Sequence, residues 1–257
     1  MIGFESKGTI CVFDKNKLLY AICEIDYLLN EDETFKYTFK PNYSVIELLK
    51  SDVFQGIPGL NLDLKKDEYI RENIVPTFIS ERVPPKSREN YYMMLEEHGL
   101  DYMNPIMYLV NDSGRYSGDN LFVLSFMEKM EVSYDDYHNN KTNNALIRDI
   151  ISDICLGNDV IIGGQRIDDT NRKAFYDVLS SIYLRSLNIN KKAQEEGINR
   201  AKERGVYKGR KAISVDMLKY MELLENVKEK KLTPREAADK LGISIDKYYR
   251  IKKKLQK

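Results

Sequence analysis

Apolar and polar residues alternate through ETFKYTFKP, where Phe35, Tyr37 and Phe39 are set against Thr34, Lys36 and Thr38. A period of two belongs to a half-buried strand, and Pro41 stops this one. Upstream, GTICVFDKNKLLYAICEID reads as a β-hairpin, with strands at 9–13 and 18–22 around the turn Asp14-Lys15-Asn16-Lys17. Downstream, PGLNLDL is a short extended piece and residues 77–82 a short helix after Pro76. A helix capped by Ser87 carries the stripe Tyr91, Tyr92, Met94, Leu95 and stops at Gly99. NPIMYLVND is helical, residues 114–119 form a loop, and NLFVLSF is a closing strand.

The period then lengthens. EVSYDDYHNNKTNNA, rich in Asn and Asp, marks a domain boundary, followed by a helix over 145–156 and the strand-like VIIGG. After a cap at Asp169 or Thr170, Phe175, Val178, Leu179, Ile182, Leu187 and Ile189 mostly keep the spacing of one helical face, and only Gly197 interrupts before Arg204. A helix of that length leaving a small body pairs with a second copy of itself. The expected fold class is α+β: a small N-terminal α+β domain over 1–130, a linker with a short helical segment over 131–166, a long dimerising helix over 167–205, and a basic arm with a three-helix helix-turn-helix domain over 206–257.

Charge sharpens that division. The chain holds 40 basic and 40 acidic side chains, yet residues 1–130 have 14 and 21, residues 131–185 have 6 and 9, and residues 186–257 have 20 and 10. A neutral total hides an acidic body and a tail of net +10, an asymmetry that points to a polyanionic partner. No apolar run reaches the ~20 residues of a membrane span, and MIGFESKGTICVF lacks a signal peptide's basic start and small-residue cleavage site, so a cytoplasmic protein without a membrane partner is expected. Cys11, Cys23 and Cys155 are odd in number and form no C-x-x-C pair, which reads as buried free thiols. His98 and His138 stand apart from them, and NEDE and YDD read as solvated loops, so neither metal, cofactor nor catalytic residue is assigned.

The tail concentrates the candidate chemistry. Arg200, Lys202, Arg204, Lys208, Arg210 and Lys211 lie within twelve residues, interleaved with Gly205, Tyr207 and Gly209. Arg and Lys exchange condensed counterions for phosphate contacts, and glycine lets a backbone approach a groove closely. Beyond it, LTPREAADKLGISIDKYYRIKKKLQK has a Thr233 cap with Glu236 three residues on, small Ala237 and Ala238, Leu241 in the core, Gly242 at a turn, buried Ile243, and Ser244 opening a second helix. Tyr248, Ile251 and Leu255 face inward. Asp246, Lys247, Tyr249 and Arg250 are left to read base edges, with Lys252, Lys253, Lys254 and Lys257 on phosphates. The alternative is a helical hairpin with a solvated basic face.

EEGINRAKERGVYKGRK followed by this motif resembles the carboxyl end of the small serine recombinases, the resolvases and invertases, over residues 167–257. The resemblance implies a dimer helix over IDDTNRKAFYDVLSSIYLRSLNINKKAQEEG, a minor-groove arm and a major-groove reader, contacting double-stranded DNA through Arg200, Arg204, Tyr207, Lys208, Gly209, Arg210, Lys211, Ser244, Asp246, Lys247, Tyr249, Arg250 and Lys253. That family uses a serine nucleophile near its amino terminus with an arginine close by; here Ser6 has no arginine neighbour, the first in the chain being Arg71. DSGRYSGDNL has a superficial similarity to an arginine-containing recombinase motif. Residues 8–126, through FKYTFKPNYS, GIPGLNLDL, PTFISERVPP, YYMMLEEHGL and SGDNLFVLSF, resemble the N-terminal subdomain of HipA-type kinases, without the kinase core that follows it there. The expectation is a dimeric, sequence-specific DNA-binding regulator, antitoxin-like or serving mobile-element or plasmid maintenance, with a kinase-like protein partner for the body and no catalytic activity. The alternative is a divergent serine recombinase.

Overall fold

The alternating N-terminal segments form a five-stranded antiparallel sheet in the order β4-β3-β2-β1-β5, from β1 (Phe4–Phe13), β2 (Leu19–Leu29), β3 (Phe35–Pro41), β4 (Tyr69–Glu72) and β5 (Phe122–Ser125). The computed structural model describes residues 3–112, 118–135, 142–205 and 215–255. The first hairpin is longer than the expected strands at 9–13 and 18–22, pairing Phe4 with Leu29 through Phe13 with Leu19 around a bulge at Ile10/Cys11. Its turn holds because the Asp14 carboxylate accepts from the backbone amides of Asn16 and Leu18.

Register sorts the side chains. Gly8, Ile25, Phe39 and Tyr69 lie in one cross-strand row, with Tyr27 and Tyr37 on the same face. That face carries the core with α2 (Thr77–Ser80), α3 (Tyr91–Glu97) and α4 (Pro105–Asp112), whose Phe78, Ile79, Leu95 and Ile106 are almost fully buried. Gly8 is required by close approach: a Cβ there would lie 2.8 Å from Val123 Cγ1 and 2.9 Å from Ile106 Cγ2. Residues 62–64 form a 3-10 turn where an extended piece is expected, because the Asn61 side chain caps it at Asp63 N and Lys65 turns left-handed. Ser87 caps nothing; α3 begins after Asn90.

Residues 131–166 belong to the same compact unit as the sheet, which runs to Asn190. A short helix, α1 (Tyr43–Ile46), follows β3; further along the chain β6 (Glu131–Ser133) pairs in parallel with β7 (Asp159–Ile162), β7 pairs antiparallel with β8 (Gln165–Ile167), and α5 (Asn143–Cys155) buries Ile150, Ile151 and Ile154 in the common core. The polar run therefore separates no units. Buried thiols match the cysteine reading, and burial pushes Cys11 and Cys155 up to about 12.

The long helix α6 (Arg172–Glu203) starts three residues after Asp169 and two after Thr170, the two expected caps. Asp169 is committed elsewhere, accepting from Arg172, Lys129 and Ser44. Arg172 itself is fully buried, and all five guanidinium protons are used, on Ser44 Oγ, Asp169 Oδ1 and the carbonyls of Ile154, Gly157 and Asn158. A cation is thus set against the carboxyl end of α5, where helix carbonyls lack partners. Along α6, Phe175, Tyr176, Leu179 and Tyr183 pack on the core, while Val178, Ile182, Leu187 and Ile189 are exposed.

The second unit spans residues 191–257 and is helical. It contains the end of α6, then α7 (Met217–Lys228), α8 (Pro234–Lys240) and α9 (Ile245–Leu255). The chain is thus a mixed α and β protein with an antiparallel sheet in its N-terminal part and a helical C-terminal part. Among the described residues no helix is long and apolar enough to cross a membrane.

Candidate nucleic-acid interface

Local chemistry sets where α8 begins and ends and where α9 starts. The Thr233 hydroxyl accepts from Glu236 N at 3.3 Å, the Glu236 carboxylate accepts from Thr233 N at 2.7 Å, and Pro234 fills the first helical position, where no amide is needed. Hydrogen bonds from the Thr233 amide and hydroxyl hold Glu236 below the usual carboxylate range. At the other end Gly242 N donates to Asp239 O and Ile243 N to Ala238 O, a Schellman pair that closes α8. Gly242 sits at φ +64, where a Cβ would be strained, and Ile243 is tucked into the cluster beneath. Ser244 then accepts from Lys247 N and starts α9.

Side-chain packing sets which face of α9 points out. Tyr220, Leu223 and Leu224 of α7 and Ala237 and Ala238 of α8 form a small core with Ile243 and Tyr248, and Ile251 packs against it. Tyr220 donates its hydroxyl to Tyr248 O at 2.8 Å, and the two rings lie 5.2 Å apart. With Tyr248 and Ile251 turned inward, Asp246, Tyr249, Arg250 and Lys253 make an exposed stripe at i, i+3, i+4 and i+7. Lys247 and Lys252 are half-buried at its flanks, and Leu255, expected inward, is exposed one turn past Ile251. The helix holds five basic residues and one acidic residue. Ile245, also exposed, borders Tyr249 and adds apolar atoms to this surface; in the sequence it looks like any core isoleucine.

The other basic cluster begins where α6 ends. Gly205, at φ +65, donates to Lys202 O, and Arg204 N donates to Arg200 O, so Arg200 and Arg204 occupy the last turn. There their charge complements the helix carboxyl terminus. Tyr207, Lys208, Gly209, Arg210 and Lys211 lie outside the described residues.

Unit 1 offers a different surface. An open groove of about 420 Å³ is lined by Thr9, Glu24, Lys40, Asn42, Ser44 and Lys129, among others. Its charges are already compensated: Lys40 bridges Glu24 and Asp26, and Lys129 bridges Asp159 and Asp169. Ser6, the serine nearest the amino terminus, is buried in β1 and donates to Asn104 Oδ1 at 2.9 Å. No cluster of three or more His, Cys, Asp or Glu suited to a metal occurs among the described residues.

Comparison of the chain with protein-family models, with curated proteins and with solved structures finds no significant match.

Proposed function

We propose that this chain is a sequence-specific double-stranded DNA-binding protein that acts as a dimeric cytoplasmic regulator by binding without chemistry. The observation that carries the reading is the outward stripe of α9, where Tyr249, Arg250 and Lys253 stand clear of the small core. In this reading α8 and α9 form a helix-turn-helix, α9 enters the major groove, and the basic segment from Arg200 to Lys211 follows the phosphates into the adjacent minor groove. The exposed Val178, Ile182 and Ile189 on α6 support pairing with a second copy, so that two α9 helices read two half-sites. The acidic body, whose first 130 residues carry 14 basic and 21 acidic side chains, serves as the docking module for a protein partner of kinase-like type.

The test is a mobility shift of the purified chain on duplex DNA that includes its own upstream region, run with and without denaturant over a salt series. A shift that disappears in denaturant and falls steeply with salt supports the reading. Arg204→Ala or Arg210→Ala lowers the salt slope by about one unit for each phosphate the side chain neutralises, whereas Tyr249→Ala relaxes discrimination between sites. Equal behaviour of both classes removes the division into arm and reader. A band that survives denaturant replaces this reading with the recombinase alternative, whose nucleophile would have to be a serine other than the buried Ser6.

A further inference from the structure

Asp246 is the one acidic residue on the exposed stripe of α9. It occupies the second position of the helix and, among the described residues, has neither an ion pair nor a hydrogen bond to its side chain. The capping of α9 does not need it, because Ser244 already accepts from Lys247 N. A carboxylate on a surface that meets phosphates is repelled by them, so its place there lowers general affinity for every sequence. Against DNA it gains only where a base edge offers a donor.

The major groove presents two such donors, cytosine N4 and adenine N6. Adenine carries the N7 acceptor beside its amino group, and that lone pair opposes a second carboxylate oxygen. Guanine N7 and O6 and thymine O4 are acceptors and repel the group outright. Resting on the DNA-binding reading above, we infer that Asp246 is a specificity-determining residue that selects cytosine at one position of each half-site by accepting from its N4 amino group. Tyr249 and Arg250, one turn on, read other positions of the half-site and leave the choice at this one to the carboxylate. The carboxylate thus gives up general affinity for discrimination among sites.

The experiment is selection of bound duplexes from a random library by the full-length chain as wild type, Asp246→Asn and Asp246→Ala. The wild type enriches cytosine by about tenfold or more at one position per half-site. Asp246→Asn moves the preference there from cytosine to adenine, whose N6 and N7 suit an amide, and leaves the other positions alone. Asp246→Ala flattens that position and binds random duplex several-fold more tightly at low salt, having lost a negative charge. If both variants return the wild-type motif unchanged, Asp246 acts only on the helix dipole and the assignment falls while DNA binding stands. A wild type that retains no duplex overturns the DNA-binding reading itself, and the assignment with it.

Discussion

Replacing Arg172 removes the group that joins the start of α6 to the end of α5. Arg172→Met keeps a similar apolar stem and deletes five donors. Hydrogen bonds to a charged group are worth about 1.5–3 kcal/mol each, but five do not add, because their acceptors have other resources. Asp169 is 58% exposed and keeps Lys129 and Ser44, and Ile154 O still accepts from Gly157 N. The carbonyls of Gly157 and Asn158 bear most of the loss, at about 1–3 kcal/mol for each buried acceptor left unpaired. With the cation at the α5 terminus also gone, the expected cost is about 3–5 kcal/mol, the usual range for breaking a buried ionic cluster. Arg172→Lys, with three donors instead of five, recovers part of this and costs about 2–3 kcal/mol. Hydrogen exchange read peptide by peptide in urea is the assay, because the chain has no tryptophan and is divided into two compact units whose protection the method reads separately. Protection should fall in β1–β3 and α5 and stay unchanged in α7–α9. A loss below about 1 kcal/mol for Arg172→Met, or an equal loss in α7–α9, would mean that Arg172 does not hold this junction together.

Acid should weaken the same junction. Burial alone would raise Asp169, but hydrogen bonds from Arg172, Lys129 and Ser44 outweigh it and bring the carboxyl from 3.8 down to about 2. Its folded value thus lies below its unfolded one, so its stabilisation is complete above about pH 5 and is lost as pH falls toward 2. Discounted for solvent screening this is about 1 kcal/mol, and Asp169→Asn should flatten the urea midpoint against pH by that amount; parallel profiles for the two proteins would exclude it. In the second unit, the buried Tyr248 hydroxyl has no hydrogen-bond partner among the described residues, so Tyr248→Phe should be neutral or stabilise by up to about 1 kcal/mol. Tyr220→Phe removes a made bond and should cost about 0.5–1.5 kcal/mol, and thermal unfolding that ranks the two variants the other way would show the packing to be misread.

The parts of this protein legible in its sequence are those decided within a few residues. Thr233 and Glu236 cap each other across three positions, Gly242 supplies a left-handed turn where one is needed, and alternation marks Phe35 to Phe39 as a strand, because each depends on backbone geometry close at hand. The basic stripe of α9 follows from the same local periodicity once Tyr248 and Ile251 are known to face inward. Long-range packing settles the rest. Phe175 and Val178 look alike in the sequence of α6, yet one packs on the core and the other stays exposed, since the sheet and α5 cover only part of the helix. The polar run after residue 130 reads as a boundary, yet β6 pairs with β7 across it and the first unit runs on to Asn190. Arg172 and Lys173 are adjacent cations, and nothing local tells them apart. The first is buried because Ser44, 128 residues away, and the carbonyls ending α5 are brought to it by the fold, and such long-range acceptors leave no periodic trace in the chain.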